Sequence, residues 1–233
     1  FILISFSQGL DGDTYDFFLP NGLKVILMEK HAAPKVAVSV FYNVGSHDEA
    51  EGQKGITRLI KYIINEGTIN HPILKVDKMK TELQAKSSDD VNPDRTYFVT
   101  EIPVENIEFI LDLESDRMQN IIVTEEILNN SKAKYKEKYN TRENNNPFDS
   151  GLRDITSKMF PEGHPYRTNS WGIIEQIDTL SIQTCQQYYN TYFSPNNSVL
   201  IIVGNIVPEN VTKLIYKYFN EILPSLEIPP EPD

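Results

Sequence analysis

An α+β domain of two layers, a largely antiparallel β-sheet packed with several α-helices, is the fold class that the 233-residue sequence predicts. Segments with an apolar period of two are interspersed with segments of helical period. They follow no strict strand–helix–strand rhythm, and there are no internal repeats or low-complexity tracts.

The elements follow in order. Residues 23–28 read as a strand after the Asn21-Gly22 turn, a two-residue hairpin signal. Val36, Val38, Val40, Tyr42 and Val44 alternate with Ala37, Ser39, Phe41 and Asn43. This pattern predicts a strand that continues the hairpin, and apolar residues on both faces predict cover on both sides. Ile56, Leu59, Ile60, Ile63 and Ile64 fall at i, i+3, i+4, i+7 and i+8, an amphipathic helix that Gly67 ends. A second helix is predicted over residues 76–86, a strand over 96–102, and a helix over 104–118. Thr124 is suited to cap a long polar helix whose first turn carries Glu125 and Glu126. That helix runs to the break at Asn144-Asn145-Asn146-Pro147. A short helix, a loop over 160–170, a helix capped by Ser181, a strand over 198–204 and a final helix opened by Pro208 complete the chain. Residues 1–223 are read as one domain. Residues 224–233, with four prolines and three acids, are read as a linker toward a further domain.

Bulk properties exclude some classes. The formal charge of −11 argues against a nucleic-acid binder, which needs a basic face. No run approaches the roughly 20 apolar residues of a membrane span. The lone cysteine, Cys185, cannot form an internal disulfide and reads as a buried structural thiol, since no His or basic cluster flanks it. Residues 1–7 fit either the end of a signal peptide, which would imply an exported or periplasmic protein, or a first β-strand; the compartment is left open.

Four stretches, ordered and spaced as they are, carry a resemblance that spans almost the whole chain. They are Leu19-Pro20-Asn21-Gly22-Leu23-Lys24-Val25; Val44-Gly45-Ser46-His47-Asp48-Glu49 with Gly55-Ile56 and Asn65-Glu66-Gly67-Thr68; His164-Pro165-Tyr166 with Trp171-Gly172; and Tyr192 to Leu200 with Val203-Gly204-Asn205-Ile206. Together they resemble the N-terminal domain of the pitrilysin/insulinase-type zinc metallopeptidases, which implies the α+β peptidase-half fold of that family.

Active members carry HxxEH on the helix between Gly55 and Gly67. Residues four apart share a helix face, so two His grip one Zn²⁺ while the adjacent Glu polarises bound water. At that place the sequence reads Arg58-Leu59-Ile60-Lys61-Tyr62. The resemblance therefore sets Arg58 and Tyr62 at the two His positions and Lys61 at the general-base position. Two fixed positive charges repel a dication, Arg cannot deprotonate to ligate, and no base remains. Glu137, with 74 residues between it and Tyr62, falls near the family's third ligand. It fits either a carboxylate remnant facing Arg58 and Lys61 or a solvated residue of a Lys-rich helix. None of the four His pairs with another at i, i+4, and His164 reads as a turn residue bonded to backbone.

No catalytic residues, metal or cofactor are therefore expected. The resemblance implies a zinc-less subunit or half that helps close a chamber with a zinc-bearing homologous partner or second domain and binds peptide. A strand edge around Ala85, Lys86, Ser87 and Ser88 would hold that peptide in extended form, with Arg58 and Lys61 attracting acidic groups. Two other readings stand beside it. One is a structural core-type subunit without peptide binding; the other is an active hydrolase with a metal site rebuilt from Glu137 and Tyr62.

Overall fold

The computed structural model describes residues 5–9, 12–145 and 147–230. Among these residues seven strands form one sheet in the order β1-β2-β3-β7-β4-β6-β5. They are β1 (Ser5–Gly9), β2 (Gly12–Phe18), β3 (Lys24–Glu29), β4 (Lys35–Tyr42), β5 (Lys86–Val91), β6 (Thr96–Pro103) and β7 (Ser198–Gly204). Every pairing is antiparallel except β3–β7, so the sheet is mixed by one parallel pair. The helices are α1 (Ile56–Asn65), α2 (Ile73–Glu82), α3 (Ile107–Gln119), α4 (Glu125–Asn145), α5 (Pro147–Met159), α6 (Ile174–Thr179), α7 (Ile182–Tyr192) and α8 (Pro208–Phe219). The α+β class and its layering are as the apolar periods predict. Among the described residues no helix is long and apolar enough to cross a membrane.

Period two fixes which side chains meet across the sheet. The register aligns Val25, Leu200, Val40 and Phe98 in one row, all buried, and the row ends at Asp89 on β5. A parallel row runs through Leu27, Ile202, Val38 and Thr100 to Ser87. The apolar residues of these rows share one core with the Ile/Leu stripe of α1, where Ile56, Leu59, Ile60 and Ile63 are fully buried. Burying such side chains stabilises by about 1.5–3 kcal/mol each.

Several local expectations are corrected. The residues 19–23 make the β2–β3 turn, longer than a two-residue hairpin. Asn21 donates from Nδ2 to the Phe219 and Ile222 carbonyls at 2.8 and 3.0 Å, tying that turn to the end of α8. β4 does not continue the hairpin, because β7 inserts between it and β3. Nor is β4 covered on both sides. Its Ala37, Ser39 and Phe41 face, with Ile26, Val199 and Ile201 beside it, is half-buried. The second helix runs from Ile73 to Glu82 rather than over 76–86, Gln84 turns through φ 56°, and Lys86–Val91 forms the strand β5, which overlaps the strand edge expected around Ala85 to Ser88. Strand β2 and helix α6 had no clear signal in the apolar pattern.

The caps hold. Thr124 Oγ1 accepts from Ile127 N at 3.2 Å, and Ser181 Oγ accepts from Thr184 N at 3.1 Å. Cys185 is buried, and desolvation pushes its thiol up to about 11, which suits an inert core residue. Residues 1–4 of the opening segment lie outside the described residues, and Ser5–Gly9 is strand β1. Residues 224–230 carry no regular structure, and Ser225 N donates to Asn196 Oδ1 at 2.9 Å; the last three residues lie outside the described ones.

The two sheet faces differ in what truncation costs. Leu200→Ala, in the buried row, is expected to lower the unfolding free energy by about 2–5 kcal/mol. Its neighbour Ile201→Ala, on the half-buried face, should cost about 1 kcal/mol or less. Urea unfolding of both variants checks this; equal losses would mean the second face is covered in solution.

Candidate functional site

The site is built on α1, and its N-terminus is fixed first. Gly55 stands at φ 103°, a left-handed conformation that favours glycine. A Cβ there would fall 2.6 Å from Ile177 Cδ1, and one on Gly172 would fall 2.4 Å from Gly55 N. The Gly55-Ile56 and Trp171-Gly172 stretches are thus two halves of one close contact. Glu49, buried, accepts from Gly55 N at 2.7 Å and Thr57 N at 3.0 Å, satisfying orphan donors of the first turn. Desolvation pushes its carboxyl up to about 7, although those donors and Lys54 pull the other way.

From this anchor α1 presents Arg58, Lys61, Tyr62 and Asn65 away from the Ile/Leu stripe. That polar face is not solvated. Arg58 is only 4% exposed. Its Nε donates to the Ser170 carbonyl at 2.9 Å, Nη1 to Asp90 Oδ1 at 2.8 Å, and Nη2 to the Val91 carbonyl at 2.6 Å and Ser170 Oγ at 3.2 Å. The guanidinium also lies 4.3 Å from the Trp171 ring centre, with Arg142 at 5.5 Å from the same ring. Lys61, 9% exposed, pairs with Asp89 Oδ1 at 2.6 Å, and Asn65 Nδ2 donates to Asp89 Oδ2 at 3.2 Å. Asn65 in turn accepts from Arg117, which pairs with Glu114 at 2.8 Å.

Asp89 and Asp90 are neighbours on a strand, so their side chains leave opposite faces of the sheet. Lys61 holds Asp89 on the helix side. Arg58 reaches round the edge to Asp90 on the other side and touches the Val91 carbonyl on its way. The two cations therefore clasp β5 between them. Among the described residues β5 is the last strand of the sheet, paired to β6 alone.

Tyr62 meets α4 through aromatic contact, its ring centre 5.9 Å from that of Tyr135. Tyr135 is fully buried, and its hydroxyl donates to the Trp171 carbonyl. Burial raises the pKa of both phenols; Tyr62 is opposed by Arg58, and Tyr135 is raised further by Glu49. Glu137 is exposed on α4, two residues from the buried Tyr135. The charges of Arg58 and Lys61 are met by Asp90 and Asp89 from β5, not by Glu137. Neither cation is left free to attract acidic groups.

The donor set does not fit a metal. Arg58 and Lys61 are cations, Tyr62 carries a phenol whose pKa burial raises, and all three are held in other contacts. Among the described residues no three His, Cys, Asp or Glu side chains converge on a point where an ion would sit. Of the histidines, His164 Nδ1 accepts from Tyr166 N at 3.1 Å, the turn role its sequence context suggests, and stacks on Phe160. His47 lies between Asp48 and Asp94, 3.2 Å from each.

Residues 24–165 match the Insulinase (Peptidase family M16) family, and residues 179–233 match the Peptidase M16 inactive domain. The chain belongs to the insulinase (peptidase M16) family. The zinc protease PqqE of Helicobacter pylori is 22% identical over 205 residues, 88% of this chain and 46% of that protein. The mitochondrial-processing peptidase subunit beta of Caenorhabditis elegans is 23% identical over 205 residues, 88% of this chain and 44% of that protein. The chain thus spans about half the length of the curated relatives it matches. Two crystal structures share the fold. A protease from Helicobacter pylori superposes with a TM-score of 0.86 at 21% identity, covering 95% of this chain and 53% of the other. A peptidase M16 inactive domain from Pseudomonas fluorescens gives 0.83 at 16% identity, covering 94% and 53%.

The ion pairs make an asymmetric prediction. Asp89→Ala strands Lys61 beside α1 without its counter-ion and should cost about 3 kcal/mol, whereas Lys61→Met should cost about 1 kcal/mol or less. Denaturant unfolding of the two variants checks the order. Glu49 makes a second one. Between pH 4.5 and about 7 the folded chain holds a proton that the unfolded chain has released, so stability should fall as pH rises through that window. Glu49→Gln is expected to flatten this slope, as read from unfolding midpoints across the range.

Proposed function

We propose that this chain is a non-catalytic half of an M16-type peptidase assembly, one that helps to form the chamber and binds peptide while a zinc-bearing homologous half performs hydrolysis. The observation that carries this reading is the clasp of α1 on β5. Arg58, Lys61 and Tyr62 stand where ligands and base would be, and each is committed to a strand, a loop or an aromatic partner. Zinc would supply Lewis acidity and an activated water if it were held here, but these side chains offer it no suitable donors, and no step is routed through it. The architecture that would serve binding is a helix laid beside a sheet whose last strand has an edge that no other strand pairs among the described residues. An extended peptide would add to that edge around Ala85, Lys86, Ser87 and Ser88.

The half-length coverage of relatives supports a two-half assembly, as does the match to the inactive domain. Residues 1–223 would serve as the peptidase half and residues 224–233 as the link onward. Zinc content of the untagged protein after dialysis in metal-free buffer tests the reading. Zinc well below one ion per chain, with no chelator-sensitive cleavage of peptides by this chain alone, is expected. Stoichiometric zinc would restore the hydrolase reading and direct mutation to Glu137 and Tyr62.

A further inference from the structure

Antiparallel pairing alternates between residues that bond to the partner strand and residues whose N–H and C=O point the other way. The phase on β5 is set at both ends of β6. Asn92 N donates to the Arg95 carbonyl at 2.9 Å across the β5–β6 turn, and Val104 N donates to the Pro34 carbonyl at 3.2 Å beside β4. With the register Val91↔Thr96, Asp89↔Phe98 and Ser87↔Thr100, it follows that Ser87, Asp89 and Val91 turn their backbone groups to the open edge. Of these, the Val91 carbonyl is taken by Arg58 Nη2 at 2.6 Å, and the same guanidinium is bonded to Ser170. Among the described residues nothing bonds to the outward backbone groups of Ser87 and Asp89.

We infer that Arg58 is the specificity-determining residue of the strand edge, closing its Val91 end so that an added peptide pairs only with Ser87 and Asp89. This rests on the reading that the edge binds peptide. Arg58 acts in two ways. It occupies the acceptor that a longer peptide would need, and it draws the Ser170-Trp171 segment against the end of β5. The hold is firm because the guanidinium is also fixed by Asp90 and by the Trp171 ring. The ligand class is an extended peptide of about five residues with free backbone N–H groups, enough to span the two open positions.

The test measures fluorescence anisotropy of end-blocked peptides of alternating Thr and Val, in lengths of roughly three, five and nine residues chosen to bracket the open positions. For the native chain, affinity should rise to the middle length and then level off. For Arg58→Ala it should continue to rise, with the longest peptide gaining roughly tenfold over the native chain, the worth of one further backbone hydrogen bond. Should Arg58→Ala not fold, Arg58→Gln is read in the same way, since the shorter, uncharged Gln lacks the guanidinium that spans Ser170, Asp90 and the Val91 carbonyl. Identical length dependence in native and variant chains would overturn the role of Arg58 and leave edge binding standing. Binding that survives N-methylation of alternate peptide residues, or no binding by either protein, would overturn edge binding itself and the inference with it.

Discussion

The grip of α1 on the last strand is the constraint around which the rest of the molecule is arranged. A guanidinium and an ammonium taken out of water each cost several kcal/mol unless opposing charge and hydrogen bonds replace the lost hydration. Arg58 meets that requirement with an aspartate, two backbone carbonyls and a hydroxyl, and Lys61 with one aspartate. Because Asp89 and Asp90 lie on opposite faces of β5, satisfying both cations fixes the position and tilt of the strand as well as its distance from the helix. Pairing of this kind contributes little net stability compared with apolar packing, but it tolerates few alternative geometries. The core row of Val25, Leu200, Val40 and Phe98 supplies the energy, and the charged residue that terminates it sets the register at the edge.

The same face of α1 also reaches α4 and the segment around Trp171, and here aromatic groups take over from charge. Tyr62 against Tyr135, the Tyr135 hydroxyl on the Trp171 carbonyl, and Arg58 and Arg142 on the Trp171 ring make one continuous cluster. Glycines at 55 and 172 let the backbones approach closely enough for that cluster to close. Glu49 belongs to the same assembly from below, capping the helix whose outer face the cluster covers.

Much of this was legible in the amino-acid pattern because it rests on periodicity. The stripe Ile56, Leu59, Ile60, Ile63 and Ile64 can be buried only as a helix, and the alternation from Val36 to Tyr42 only as a strand. The identity of the helix face that carries Arg58, Lys61 and Tyr62 follows from the same spacing. Its partners do not. Lys86 to Val91 is polar on both faces, so it gives no period-two signal, and Met79 and Leu83 before it suggested that the helix continued. Asp89 and Asp90 lie beyond that helix in a stretch without apolar period, so nothing in the pattern paired them with Lys61 and Arg58, although two adjacent acids would place counter-charges on both sides of any strand. The parallel insertion of β7 between β3 and β4 is a non-local pairing that local pattern cannot reveal. Glu137 was open to two readings, an inward remnant or a solvated residue, because α4 is polar on all sides; only its neighbours show that Tyr135 turns inward while Glu137 is exposed.

Substitutions at positions 58, 61 and 62 cannot be considered one at a time. His at 58 would leave Asp90, the Val91 carbonyl and Ser170 without the donor that joins them, and the end of β5 would lose its tie to the Trp171 segment. Glu at 61 would bring a carboxylate against Asp89, a like-charge contact beside the core. His at 62 would face the apolar ring of Tyr135, where a third carboxylate ligand has no place while Glu137 points to solvent. A metal-binding face would therefore require new residues on β5 and α4 as well as on α1. The arrangement is a self-consistent polar network of its own, in which Asp89, Asp90, Ser170 and the Val91 carbonyl are matched to the two cations of α1.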